Sequence, residues 1–198
     1  MTSLSSPSLP SRGEHRADQP GHSLVNGRVA IVSHDPKWPY LFQQEADRIR
    51  HALGDRVRLI EHVGSTAVPD LDAKPCIDVQ MAVPEPDDRS TYLPALEEIG
   101  YVLFAPSTDW HDHPILKGTR VNVNLHVFCE GSAGLDSMRL FRDFLIADAQ
   151  ARERYAVVKR ELGERRWDQI RDYVRAKAGI ITELLAQARK WKAERGAE

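Results

Sequence analysis

Between Ile60 and Val83 the chain places a Gly64-Ser65-Thr66 turn after one β-rich stretch and Asp78 on the next. A glycine at such a turn lets backbone N–H groups approach phosphate oxygens with no Cβ in the way, and the hydroxyls of Ser65 and Thr66 add donors. A carboxylate on the adjacent strand can hold the magnesium that a triphosphate carries with it. Lys74, just before Pro75, lies within reach of the same turn and is a candidate phosphate ligand.

Strand alternation gathers further polar groups. Asn122, Asn124 and His126 alternate with Val121, Val123, Leu125 and Val127, and Asp78 and Gln80 alternate with Ile77, Val79 and Met81. On the preceding strand the same parity assigns His62 to the polar set and Glu61 to the apolar side with Leu59 and Val63, where Glu61 is expected to pair with a basic residue such as Lys74. If these strands are neighbours, the polar groups converge over one cleft. A merely solvated face would carry Lys, Glu and Thr rather than Asn, His, Asp and Gln. Asp109, His111, Asp112 and His113 look like metal ligands, but their spacing is irregular and no second set accompanies them.

The elements that must position these groups follow from periodicity. Phe42, Ala46, Ile49 and Leu53 predict a helix over Pro39–Leu53, closed by Gly54. Strands are expected at Val29–Val32, Arg56–Val63, Pro75–Val83, Tyr101–Phe104 and Arg120–Phe128, with a helix at Tyr92–Ile99. The remainder reads as helices at Met138–Ala147, Ala151–Leu162 and Trp167–Trp191. Tyr155 with Lys159, and Tyr173 with Lys177, fall at i, i+4 and share helix faces. Strands first and helices last give an α+β fold: a mixed sheet backed by helices, with a C-terminal helical subregion. The expected division is a disordered extension at 1–26, an α/β core at 27–134, the helical subregion at 135–192 and a tail at 193–198.

A chain of 198 residues with 41% hydrophobic content can bury one sizeable core. Its net charge of −2 argues against specific nucleic-acid binding. Cys76 and Cys129 sit in apolar strand text and read as buried thiols. No apolar run approaches the about 20 residues needed to span a bilayer, and the Ser- and Pro-rich start has no secretory apolar stretch. A cytoplasmic protein is expected.

EHVGSTAVP, followed by AKPCIDVQMAV, resembles the signature of the GrpB family, a branch of the nucleotidyltransferase superfamily with the DNA polymerase β fold. The resemblance extends through VSHDPKWPYLFQQEADRI, NLHVF, the FRD text at Phe141–Asp143 and the two Tyr/Lys pairs, covering Arg28 to Trp191. It implies a nucleotidyltransferase-like core that binds a nucleoside triphosphate and transfers a nucleoside monophosphate to a small-molecule or protein acceptor. It adds Arg142 and Lys177 to Gly64, Ser65, Thr66 and Lys74 as nucleotide-binding candidates. Asp78, Gln80 and His126 are the catalytic candidates, and Asp78, His62, Asn124 and His126 the metal-binding ones, with Mg2+ or Mn2+ as the ion. Two-metal phosphoryl transfer gathers two or three carboxylates, yet Gln80 stands where the second would be. Either a single ion binds, or the histidines select manganese or zinc, or catalysis has been lost. The last alternative leaves a binding or regulatory module, consistent with a resemblance to a domain fused to the coenzyme A biosynthetic kinase.

Overall fold

The computed structural model describes residues 24–104 and 113–196. Five strands form one mixed sheet, β1 (Leu59–Val63), β2 (Ile77–Val83), β3 (Tyr101–Phe104), β4 (Ile115–Gly118) and β5 (Val123–Cys129), in the spatial order β1-β2-β5-β4-β3. Only the central pair, β2 and β5, runs parallel; the other three pairings are antiparallel. The alternation of β2 and β5 fixes their faces. Ile77, Val79, Met81, Val83, Val123, Leu125 and Val127 enter the main core with Trp38, Ala46, Ile49 and Leu53 of helix α1 (Trp38–Leu53) and Leu96 of α2 (Leu93–Glu98). Each large side chain buried there contributes on the order of 1.5–3 kcal/mol. Helix α1 stops where Gly54 adopts a φ of 57°, and one 3-10 turn over Gly54–Arg56 leads to β1.

The opposite face of the sheet is only partly covered. Helix α3 (Ala133–Ala147) lays Leu135 and Met138 on Ala82 and Phe128. Helices α4 (Ala149–Glu164) and α6 (Ala178–Arg195) then continue away from the sheet, packing Tyr155, Ala156, Leu184 and Ala188 on Val68 and Leu71 of the β1–β2 connection. Helix α5 (Ile170–Ala176) contributes Tyr173 to a third cluster with Val29 and Leu162. Among the described residues no helix is long and apolar enough to cross a membrane.

The expected α+β arrangement is observed, with local differences. The stretch at Val29–Val32 makes no strand of the sheet; its backbone pairing is one isolated bridge, Val32 to Ala73, and a second bridge, Val25 to Arg28, precedes it. Strand β4 falls in text that periodicity left between elements, because a four-residue strand containing Lys117 and Gly118 shows too little alternation to register. The long C-terminal helix is two helices, broken at Lys177, whose N–H bonds back three residues to Val174 in a tight turn. Cys129 ends β5 and is exposed, so only Cys76 is a buried thiol.

Candidate functional site

Strand β1 ends at Val63, directly opposite Asp78, and the chain turns at Gly64 with φ 69° and ψ −170°. That conformation is nearly confined to glycine. Space imposes the same requirement, since a Cβ on Gly64 would lie 2.8 Å from the Cβ and 2.9 Å from the Cγ of Asp78. The turn therefore rests on the Asp78 side chain itself. Ser65 opens a single 3-10 turn, and its hydroxyl hydrogen-bonds the buried phenol of Tyr155 on α4. Thr66 points inward: it is buried, its hydroxyl donates to the Cys76 carbonyl (3.4 Å), and Nε2 of His62 lies 3.0 Å from it. Its hydroxyl is thus spent inside the fold and does not reach a ligand at the turn.

Asp78 is half-buried, with 26% of its side chain accessible. Burial alone would raise its pKa, but His126, whose Nε2 lies 3.8 Å from Oδ1, then Asn124, whose amide donates to Oδ1 at 2.6 Å, and then Lys74 bring it down to about 2. The carboxylate is charged throughout the neutral range. Asn124 accepts in turn from the Lys117 ammonium, so both ends of its amide are engaged. His126 is buried, and its Nδ1 lies 2.9 Å from Nε2 of His113, which packs on Phe128. His113 is the described member of the loop cluster; Asp109, His111 and Asp112 lie outside the described residues.

The register of β1 reverses the expected parity. Glu61 pairs with Gln80 on the Asp78 side of the sheet, whereas His62 pairs with Val79 and stacks on Phe42 of α1. Ile60 is the core-directed residue of β1 and takes His62 with it. His62 thus lies on the wrong face to share a metal with Asp78. Its burial, with Arg142 and His34 adding to the effect against the pull of Asp78, lowers its pKa to about 4. Glu61 pairs with Arg139 on α3 (2.9 Å), not Lys74, and accepts from the Gln80 amide at 2.7 Å. Burial opposes its ionisation, but the bonds from Arg139 and Gln80 lower its pKa. Gln80 is completely buried, and among the described residues its Oε1 has no partner. It braces Glu61 beneath the surface and is not placed to touch a reacting group. Arg142 donates to the His62 carbonyl at 2.9 Å and pairs with Asp143. It lines a separate groove of about 470 Å³ with Phe42, Glu61 and Ile146, and so is a bracket between α3 and β1.

Lysines ring Asp78. Lys74, Lys117, Lys159 and Lys177 all interact electrostatically with it. Lys159 is 1% exposed, lies over the Tyr155 ring at 4.6 Å and donates to the Asp72 carbonyl. Burial, reinforced by the positive charges of Lys177 and Arg160 and opposed by Asp72, lowers its pKa to about 7. Lys177, turned by the helix break, lies over the Tyr173 ring at 4.7 Å, and burial lowers its pKa as well. Burial raises the Cys76 thiol to about 11, so it stays neutral. The i, i+4 spacing pointed to the Tyr/Lys faces, but nothing local tied Tyr155 to Ser65 or Lys159 to Asp72.

This donor set does not fit a resident pair of divalent ions. Among the described residues no second carboxylate joins Asp78 in a metal-binding group, Asn124 turns its amide N–H to Asp78 and its oxygen to Lys117, and Gln80 is closed off. Among the described residues, no group of three His, Cys, Asp or Glu side chains is arranged to hold a metal ion.

A mixed sheet with helices on both faces, and a glycine turn seated on a strand carboxylate, defines an α+β protein with a polar site on its central strands. The chain belongs to the GrpB family, whose sequence profile, described as GrpB protein, matches residues 28–187. A UPF0157 protein of Halalkalibacterium halodurans is 44% identical over 163 residues, which cover 82% of this chain and 84% of that protein. A dephospho-CoA kinase of Mycolicibacterium paratuberculosis is 32% identical over 195 residues, covering 85% of this chain and 48% of the kinase. Among solved structures, the conserved protein GrpB from Enterococcus faecalis superposes with a TM-score of 0.73 at 25% identity, over 82% of this chain and 99% of that one.

Proposed function

We propose that the chain binds a nucleoside triphosphate on the polar face of β2 and β5. The phosphates would rest at the Gly64-Ser65 turn among the lysines, and Asp78 would accept a hydrogen bond from the sugar or from an acceptor group. The observation that carries this reading is the contact of Gly64 with Asp78, which seats the backbone of the turn against a carboxylate on which Lys74 also acts electrostatically. Such a turn offers N–H groups to anionic oxygens, and the lysines supply charge. The reading is that of a nucleotide-binding module within a nucleotidyltransferase-like fold, without two-ion catalysis. Gln80, buried and bonded to Glu61, supports it. A regulatory role fits the likeness to about half of a kinase. A thermal-shift panel of the four common nucleoside triphosphates tests the reading, because a ligand that binds only the folded state raises Tm. A rise with at least one triphosphate that Asp78→Asn reduces is expected; a flat panel ends the reading.

The second reading retains transfer of a nucleoside monophosphate, with pyrophosphate leaving and a single Mg2+ or Mn2+ at Asp78. It is favoured by the ionised state of that carboxylate beside the turn. Release of pyrophosphate from a triphosphate with either ion, abolished by Asp78→Asn, would promote this reading over the first.

A further inference from the structure

The strand register carries one row of side chains across the polar face of the sheet. Asp78 lies opposite Asn124 on β5, Asn124 opposite Lys117 on β4, and Lys117 opposite Val102 on β3. Direct contacts join the same row. The Asn124 amide donates to Asp78 Oδ1 at 2.6 Å, the Lys117 ammonium donates to Asn124 Oδ1, and that ammonium lies 5.3 Å from the centroid of the Phe104 ring. Alternation puts Val102 and Phe104 together on this face of β3, while Tyr101 and Leu103 pack into the main core.

The outer end of the row is apolar and open: Val102 is 50% and Phe104 47% exposed. Edge strands are commonly guarded by charged side chains, yet the two solvent-facing residues of β3 are hydrocarbon. Single exposed apolar residues need no explanation. These two are neighbours on one face, and Lys117 ties them to the strip that ends at Asp78. Three strand spacings, about 14 Å, separate Val102 from Asp78. An extended nucleoside triphosphate spans such a distance between its phosphates and its base. A base is a flat ring, and stacking on an aromatic side chain holds it without reading its edge.

We propose that Phe104 and Val102 form the subsite for the nucleobase. The nucleotide then lies across the strands, with its phosphates at the Gly64-Ser65 turn, its sugar over Asp78 and Asn124, and its base against the Phe104 ring. The inference deepens the nucleotide-binding reading and rests on it for the ligand. Stacking rewards ring area, so purine nucleotides bind more tightly than pyrimidine ones.

Isothermal titration calorimetry of the full chain with ATP, UTP and inorganic tripolyphosphate tests the proposal. ATP should bind more tightly than UTP. Phe104→Ala should weaken ATP about tenfold or more, the size of a lost base–aromatic stack, and leave tripolyphosphate affinity unchanged. Phe104→Trp, which keeps a stacking face, should retain ATP binding. ATP affinity indifferent to Phe104→Ala overturns this inference and leaves nucleotide binding standing. Equal loss of ATP and tripolyphosphate in Phe104→Ala makes the ring part of the scaffold and overturns it too. A concentration-dependent dimer in sedimentation velocity that Phe104→Ala dissolves, with ATP affinity unmoved, overturns it in favour of a second copy of the chain. No binding of ATP or UTP to the wild type overturns both this inference and the nucleotide reading.

Discussion

Replacing Lys159 by methionine should change how the stability of the protein depends on pH. The side chain is 1% exposed, and burial, aided by the charge of Lys177, lowers its pKa from 10.5 to about 7. Between those values the unfolded chain holds a proton that the folded chain has released, so stability rises with pH across the window. Below about pH 7 the full penalty of burying the charge is present; above 10.5 none remains. Between about pH 7 and about pH 9.5, linkage gives a gain of about 3 kcal/mol from this one group. Methionine has a similar length and no charge, so the variant lacks that gain. Urea unfolding followed by tryptophan fluorescence, on both proteins at both pH values, isolates the effect. Cys76 and Tyr155, whose raised values act with the opposite sign, are common to the two and largely cancel. The wild type should gain about 3 kcal/mol more than Lys159→Met across the interval. If the two gains agree within about 0.5 kcal/mol, Lys159 is not buried as a charge and the reasoning fails.

Gly64→Ala combines a backbone conformation that only glycine adopts freely with an overlap on Asp78, and should destabilise by about 2–4 kcal/mol in urea titration. Thr66→Val removes the hydroxyl between His62 and the Cys76 carbonyl and should cost about 1–3 kcal/mol, because both partners are left unsatisfied. Asp148→Ala deletes the cap that accepts from the Ala151 N–H at 2.8 Å, and a loss of about 1 kcal/mol with little change in ligand binding should follow.

The parts of the site legible in the sequence are those set by short-range rules. Gly64, Ser65 and Asp78 announce themselves because turn chemistry and strand alternation act over a few residues, and Asn124 and His126 share their face by the same alternation. The parity of β1 was not legible, since Leu59 and Val63 on one side and Ile60 on the other are all apolar. Only pairing with β2 decides which set is buried with α1, and that choice moves His62 and Glu61 to opposite faces. Gln80 illustrates a second limit: residue type signals polarity, but its closure under Glu61 and Arg139 depends on α3, far along the chain. Lys177 illustrates a third, because apolar spacing continues smoothly through a helix break that one tight turn produces.

The parallel pairing of β2 with β5 carries a kinetic consequence. Strands β1 and β2 can zip locally, bringing Gly64 against Asp78, whereas Asp78 meets Asn124 only when a segment with a separation of 46 residues has closed. Closure of so distant a contact is entropically late, and parallel strands reward it slowly. A growing polypeptide therefore exposes the carboxylate before Asn124 and His126 exist to steady it, and Lys159 and Lys177 emerge from the ribosome later still. During synthesis the face around position 78 begins with Lys74, adds Lys117 as β4 pairs with β5, and gains Lys159 and Lys177 only as the later helices dock.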